Sequence, residues 1–562
     1  MDSKVVAGVF LGFLFVVAVA GVLIFNSFNS NTSLDNGMVA TVNQTGNNTN
    51  TTNNTNILPP TNPLITFIPL SSGVNSISSS AVSPSPGPVP SPDPMDRIIS
   101  LFDAYVNSIF PDSGIPGSAI VIVKGDQVIY MNCLGVKNLA SGEPVSPNTL
   151  FEIGSCSKAF TATNIAQLVS NGTLSWDDPI SKYFPDTSEF QMYDSEVTGK
   201  LTIRDCLSHR SGQPAYSQDT EWMMFNDSYS RMLYNLRYVK NDTPFNTTYA
   251  YNNIIYALAG YYASRATGIT WSELIKEDLL NPLGMTSSTA TVKDFFNSPD
   301  HATPYKLLSN GTLVPYHTAS IDEVGPAGVL GCSISEMANW LKFQIADTGM
   351  YNGVQIVSKE DLDETRTGQI KYTDTIQYAM GWLVNDQLIT HAGDTISSQT
   401  SVSVFLKEGI GIVSVTNAGP IGQDFNSAIL AKLSLLLKGN EVTDPWIDYG
   451  YKDQHKPAPF PDPVPPLVGP QALDTYTGVY SNDFYGNITI TVENNVLKCY
   501  YGYNTQSNDL KHWNDSVFLD PIFDMPLEFK DIHDGSAHQL ETSVQNYTTT
   551  PPGTSVFNRT ES

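Results

Sequence analysis

The chain has 562 residues, 41% hydrophobic and 15% charged, with 29 Lys and Arg against 55 Asp and Glu for a formal charge of −26. That acid excess argues against nucleic-acid binding, which needs concentrated Lys and Arg, and against adhesion to anionic lipid head groups. The length allows several domains, and five cysteines with no CxxC pair make neither a disulfide framework nor a zinc module.

Residues 1–4 read as a cytoplasmic tail and Val5 to Phe25 as an uncleaved signal-anchor, an apolar run without a charge. Its 21 residues, at about 1.5 Å each, span roughly 31 Å, the depth of a bilayer core. Ala18-Val19-Ala20 offers the alternative of signal cleavage and secretion. Lys4 and the amino terminus precede the run, and no Lys or Arg follows until Arg97, so the positive-inside bias places the bulk of the chain outside the cytoplasm. Residues 26–94, rich in Asn, Ser, Thr and Pro, carry too little apolar surface to fold and read as a stalk. Asn-x-Ser/Thr sequons at Asn31, Asn43, Asn47, Asn50 and Asn53 in the stalk agree with an extracytoplasmic glycoprotein. So do those at Asn171, Asn226, Asn241, Asn246, Asn310, Asn487, Asn514, Asn546 and Asn558.

A domain over 95–440 follows. Ile98, Leu101, Phe102, Tyr105 and Ile109 fall at helical spacing within Met95 to Phe110. Ala119 to Val123 and Gln127 to Tyr130, joined by Lys124-Gly125-Asp126, predict a hairpin; Ser401 to Leu406 and Ile410 to Val415 predict another. Ala428 to Leu437 reads as an apolar helix ended by Gly439. Strands at both ends around a helical middle predict an α+β fold, an antiparallel sheet flanked by helices whose terminal strands meet in space. A proline-rich linker over 441–470 leads to a small antiparallel β domain over 471–562, where Tyr476 to Tyr480, Ile488 to Val492 and Val496 to Tyr501 read as strands. That segment shows no catalytic motif.

Three short boxes carry chemistry. In Phe151-Glu152-Ile153-Gly154-Ser155-Cys156-Ser157-Lys158, a Ser and a Lys three apart on a helix share a face. A partly desolvated Lys can take the proton of a serine hydroxyl, and the Ser155 amide, if it opens the helix, is free to meet an oxyanion. The second box is Tyr249-Ala250-Tyr251-Asn252-Asn253, and the third is His391-Ala392-Gly393-Asp394 just before the second hairpin.

These boxes resemble those of the serine β-lactamase and penicillin-binding-protein superfamily, above all its class C β-lactamase-like branch. Leu174-Ser175-Trp176-Asp177-Asp178-Pro179, Leu201 to Gly212, Asn281-Pro282-Leu283-Gly284-Met285, Pro326-Ala327-Gly328 and Gly381-Trp382 match in the family's order. The resemblance spans roughly Met95 to Gly439. It implies a nucleophile at Ser155, with Lys158 and Tyr251 shuttling the proton and Lys158 lowering the Tyr251 pKa. It further implies substrate contacts at Asn253, His391 and Gly393, and oxyanion donors in the Ser155 and Asp394 amides. The implied activity is acyl-enzyme hydrolysis of an ester or amide in a small molecule or peptide, with no metal or organic cofactor. His391 stands where the family's Lys-Thr-Gly motif has a permanent cation, which favours an esterase or peptidase over a β-lactamase or D-Ala-D-Ala carboxypeptidase. A catalytically silent receptor on the same fold is the alternative of another class. His209 reads as structural and Cys156 as a packed thiol. The loops Gln213 to Tyr238 and His301 to Val324 line the expected pocket.

Overall fold

The computed structural model of the protein describes residues 93–318, 321–455, 460–546 and 553–560; the expected anchor and residues 26–92 of the stalk lie outside them. No described helix is long and apolar enough to cross a membrane.

Helix α1 (Pro94–Ile109) starts where the Asp93 carboxylate accepts the Met95 amide hydrogen and a proline occupies the first turn. Strands β1 (Gly117–Lys124) and β2 (Gln127–Gly135) form the first expected hairpin, closed at Gly125 with φ of 59°. Strand β3 (Leu150–Glu152) pairs with β4 (Gly331–Ser333), and between them run α2 (Ser157–Ser170) and α3 (Asn253–Thr267). After β4 come α4 (Ile334–Ala346) and the short strands β5 (Ile370–Lys371), β6 (Gln377–Tyr378) and β7 (Leu383–Val384). The domain ends with β8 (Leu388–Asp394), β9 (Gln399–Phe405), β10 (Ile410–Thr416) and α5 (Ile421–Leu437).

The main sheet has the order β2-β1-β10-β9-β8-β7-β6-β5, antiparallel throughout. The expected meeting of the terminal strands is the β1–β10 ladder, with Ser118 opposite Thr416 and Lys124 opposite Ile410. Both faces of β1 are buried, which is why its sequence is an unbroken β-branched run with no alternation. Val121 and Val123 join the core with Phe160 and Trp340, while Ile120 and Ile122 join Phe102, Val106 and Phe425 on the other face. Helix α5 starts seven residues before the apolar run that announces it. Its first turns carry buried Gln423, Asp424, Asn426 and Ser427, and Asn426 accepts the Ser414 hydroxyl hydrogen.

The C-terminal sheet holds β11 (Gly478–Asn482), β12 (Gly486–Glu493), β13 (Val496–Tyr501), β14 (Asn508–Asp509), β15 (Lys511–Asn514), β16 (Val517–Asp520), β17 (Met525–His533), β18 (Ser536–Asn546) and β19 (Gly553–Arg559). Its order is β14-β13-β12-β11-β19-β18-β17-β16-β15. The two edge strands are joined by Leu510 alone, so the nine strands curl until the edges adjoin, as in a barrel. Tyr476, Tyr480, Phe518, Phe529 and Leu540 fill its interior.

Candidate active site

Strand β3 leads into Gly154, whose φ of 51° turns the chain sharply. Gly154–Cys156 form a single tight turn that runs directly into α2, so the Ser155 amide lies at the start of a helix where backbone N–H groups have no partner within it. The end of β8 lies against this turn. A side chain on Gly154 would place its Cβ 2.7 Å from the Asp394 nitrogen, and one on Gly393 would place it 1.9 Å from the Ile153 carbonyl oxygen. Two glycines thus let the turn that carries Ser155 and the strand that carries the second expected oxyanion donor touch backbone to backbone.

Lys158, the second residue of α2, is fully buried. Its Nζ lies 3.0 Å from Ser155 Oγ, 2.7 Å from Asn253 Oδ1 and 2.8 Å from the Ala327 carbonyl oxygen. The Pro326-Ala327-Gly328 box therefore works through its backbone, and Thr161 ties it further by donating to the Pro326 carbonyl at 2.7 Å. Tyr251 stands on the other side of the serine and donates from its hydroxyl to Ser155 Oγ at 2.7 Å. It sits in the extended segment just before α3, held there because the Asn252 side chain caps the helix on the Ile255 amide and also donates to Ser217 Oγ. Tyr249, two residues earlier, packs against Tyr372 and Tyr378, which fixes the register of this box at Tyr251.

The first residue of α3, Asn253, uses its amide inward. While Oδ1 accepts from Lys158, Nδ2 donates to Asp219 Oδ2 at 2.9 Å, and Trp222 Nε1 donates to Asp219 Oδ1 at 3.0 Å. A chain of contacts thus runs from Ser155 through Lys158 and Asn253 to a buried carboxylate. Asp219 and Trp222 are the site residues that sequence reasoning missed. They lie in Gln213 to Tyr238, expected as a loop but carrying the short helices Asp219–Met223 and Tyr229–Asn235; an acidic residue there carries no motif, and only contact with a box 34 residues downstream reveals the pair.

Burial dominates the electrostatics. It lowers the Lys158 amine to about 7, against a smaller opposing pull from Asp219, and raises Asp219 to about 6. Burial also drives the Tyr251 phenol well above its ordinary value, outweighing its hydrogen bond to Ser155. Tyr251 is therefore a full phenol at neutral pH, whereas the sequence suggested a phenolate stabilised by Lys158. The ammonium lies over the ring, 4.6 Å from its centroid. Near neutral pH Lys158 can therefore accept a proton, whereas Tyr251 keeps its own.

His391 is buried, and burial together with Lys158 takes its imidazole down to about 3. Nδ1 lies 2.6 Å from the Ala392 carbonyl oxygen and therefore carries the proton, and Nε2 faces the Tyr378 hydroxyl at 3.2 Å. Both ring nitrogens are thus engaged by the protein, and the ring centre lies 6.4 Å from that of Tyr251. His209 accepts the Asn252 amide hydrogen on Nδ1 and lies against the rings of Tyr251, Tyr256 and Tyr378, so it braces the Tyr251 segment. Burial raises the Cys156 thiol well above its usual value and leaves it inert, close to the His391 carbonyl. Among the described residues no cluster of His, Cys, Asp and Glu is arranged to hold a metal.

The β-lactamase family model matches residues 95–437, and a model described as a domain of unknown function (DUF3471) matches residues 462–551. Protein flp of Staphylococcus aureus (strain COL) is 27% identical over 308 residues, 54% of this chain and 60% of flp, so the match spans less than two thirds of that relative. The unguisins hydrolase ungD' of Aspergillus campestris (strain IBT 28561) is 26% identical over 435 residues, 71% of this chain and 78% of that protein. Among solved structures, the octameric penicillin-binding protein homologue from Pyrococcus abyssi superposes with a TM-score of 0.54 at 22% identity, covering 79% of this chain and 98% of that one. The class C β-lactamase from Rhodobacter sphaeroides gives 0.51 at 20% identity, covering 60% of this chain and 99% of its own. These two likenesses are likenesses of fold.

Proposed function

Because this chain belongs to the β-lactamase family of serine hydrolases, we propose that it hydrolyses an ester or amide through an acyl-enzyme on Ser155. The observation that carries this reading is the convergence on one hydroxyl oxygen of an amine 3.0 Å away that titrates near neutrality and a phenol 2.7 Å away that does not. The Ser155 oxygen attacks the carbonyl carbon as its proton passes to neutral Lys158. The oxyanion forms between the Ser155 and Asp394 amides. Tyr251 gives its proton to the departing alkoxide or amine and recovers one from the Lys158 ammonium. Water repeats the sequence in place of the alcohol and releases the acid. Asn253 holds the Lys158 amine in line, and its link to Asp219 fixes which way the amide faces.

The neutral His391 favours a substrate without a carboxylate beside the scissile bond, since it supplies no cation there. An ester or uncharged amide fits that better than a β-lactam or a D-Ala-D-Ala peptide. The similarity to a protein named a hydrolase agrees with turnover and not with a silent receptor. Ser155→Ala is expected to abolish hydrolysis of p-nitrophenyl acetate and labelling by a fluorophosphonate while leaving the melting temperature unchanged. Wild-type rates in that variant would reject the assignment.

The placement we propose is a single-pass membrane protein with its hydrolase outside the cytoplasm. Support comes from the charge-free run Val5 to Phe25 and from the sequons. None of the sequon asparagines with a described side chain is buried, and Asn171, Asn246, Asn310, Asn487 and Asn558 are exposed. Deletion of residues 5–25 should move the protein from the membrane pellet to the supernatant.

A further inference from the structure

The two segments expected to line the pocket, Gln213 to Tyr238 and His301 to Val324, are both gripped by the C-terminal barrel. Within Gln213 to Tyr238, Phe225 leaves its own domain and sits fully buried in the barrel interior. Its ring lies 5.5 Å from Tyr485, 5.7 Å from Tyr501 and 6.0 Å from Phe557. The backbone is held as well: the Tyr503 amide donates to the Phe225 carbonyl at 2.9 Å, and the Asn504 side chain donates to the Met224 carbonyl. Arg231 and Asn235 reach the Phe484 carbonyl at 3.0 and 3.1 Å. On the second segment, Lys306 lies over the barrel's Phe523, 5.4 Å from its ring centre, and Tyr316 meets the same ring edge-on.

The grip at Phe225 is close to the chemistry in sequence and in space. The short helix Asp219–Met223 runs directly into Met224 and Phe225, whose amides donate back to the Thr220 and Glu221 carbonyls. One end of this helix is fixed by the hydrolase domain, where the Tyr216 amide donates to the Tyr251 carbonyl and Asn252 binds Ser217. The other end is fixed by the barrel. Asp219, between them, holds Asn253.

We propose that the C-terminal barrel is part of the catalytic apparatus. By seating Phe225 in its core it keeps the helix Asp219–Met223 in place, and Asp219 acts as a positioning residue that orients Asn253 and so the Lys158 amine. This rests on the reading of Ser155 as nucleophile and Lys158 as base. The titratable groups around Lys158 are Asp219, Tyr251, Tyr256, Cys156, His209 and His391. The first is the anionic one, and its charge favours the ammonium. Moving or neutralising it therefore shifts the onset of activity to lower pH while it misplaces the base.

The test is the pH dependence of fluorophosphonate labelling of Ser155 in the full chain. Asp219→Asn and Phe225→Ala should both move the labelling midpoint to lower pH and cut the plateau rate about ten- to a hundredfold. Asp219→Glu should retain the wild-type midpoint. Gly502→Ala perturbs from the barrel side alone, because its Cβ would fall 2.0 Å from the Phe225 carbonyl oxygen. It should reproduce the Phe225→Ala profile, and it carries the test should Phe225→Ala not fold. A barrel that merely stabilises the protein predicts a lower melting temperature with midpoint and plateau within twofold of wild type, and that result would overturn the proposal. Absence of labelling in the wild-type protein would overturn the hydrolase reading itself, whatever the variants do.

Discussion

Replacing Lys158 by Met tests the electrostatic core of the site, because a buried base that titrates near 7 is costly to the fold. The folded-state value is depressed from 10.5, so the penalty is absent above that pH, grows as pH falls, and is complete below about 7. At about 1.4 kcal/mol per pH unit, the gap between 10.5 and about 7 corresponds to about 5 kcal/mol at pH 6 and roughly 2 kcal/mol at pH 9. Methionine removes that penalty with little change in volume. It also leaves the Asn253 Oδ1 and the Ala327 carbonyl without their donor, at about 1–3 kcal/mol each, independent of pH. The absolute stability change is a difference of similar quantities, but its pH dependence is not. The stability of wild type relative to Lys158→Met should improve by about 3 kcal/mol from pH 6 to pH 9. Urea unfolding followed by tryptophan fluorescence at several pH values measures this, alongside a loss of about a thousandfold in p-nitrophenyl acetate hydrolysis. A stability difference that stays flat over this range would show that Lys158 remains charged in the fold, and the proposed base would be lost.

Wild-type acylation of Ser155 should rise with pH through about 7, because the reactive form is the neutral amine; a rate independent of pH from 5 to 9 contradicts that role. Tyr251→Phe removes one hydrogen bond to Ser155 and the proton donor, so kcat should fall about a hundred- to a thousandfold with the fold intact by circular dichroism. Gly393→Ala puts a methyl group 1.9 Å from the Ile153 carbonyl and must part β8 from the nucleophile turn. Labelling should slow at least about a hundredfold, and a rate within tenfold of wild type counts against backbone contact as the basis of the oxyanion site.

The convergence of Lys158 and Tyr251 on Ser155 was legible because each residue sits in a short box whose spacing is itself the geometry. Ser155 and Lys158 share a helical face by their separation, and Tyr251 and Asn253 follow from the extended entry to α3. The terminal strands were legible for a related reason, since an apolar β-branched run that bounds a domain at each end has few places to pair other than with its counterpart. Short strands β5 to β7 were not, because two residues carry no period. The protonation states were not either. The sequence places Lys158 near Tyr251 and suggests that the cation would ionise the phenol, but the outcome turns on how deeply both groups are buried. That depth is set by residues scattered along the chain, among them Tyr256 and Ala327 around the Lys158 amine and His209 and Tyr216 against the Tyr251 ring.

Asp219 marks the limit of such reading and also its physical reason. A carboxylate on a five-residue helix acquires a role only from what holds that helix, and part of that support lies in a barrel whose first strand begins at Gly478. The segment looked free of chemistry because none of its described residues offers a polar group to Ser155. What it offers is a pocket for Phe225, and a phenylalanine in a loop is indistinguishable by sequence from one in its own core. A domain of this kind contributes to catalysis by fixing a backbone, so its share is found by tracing which rigid element each charged side chain hangs from, not by searching for motifs.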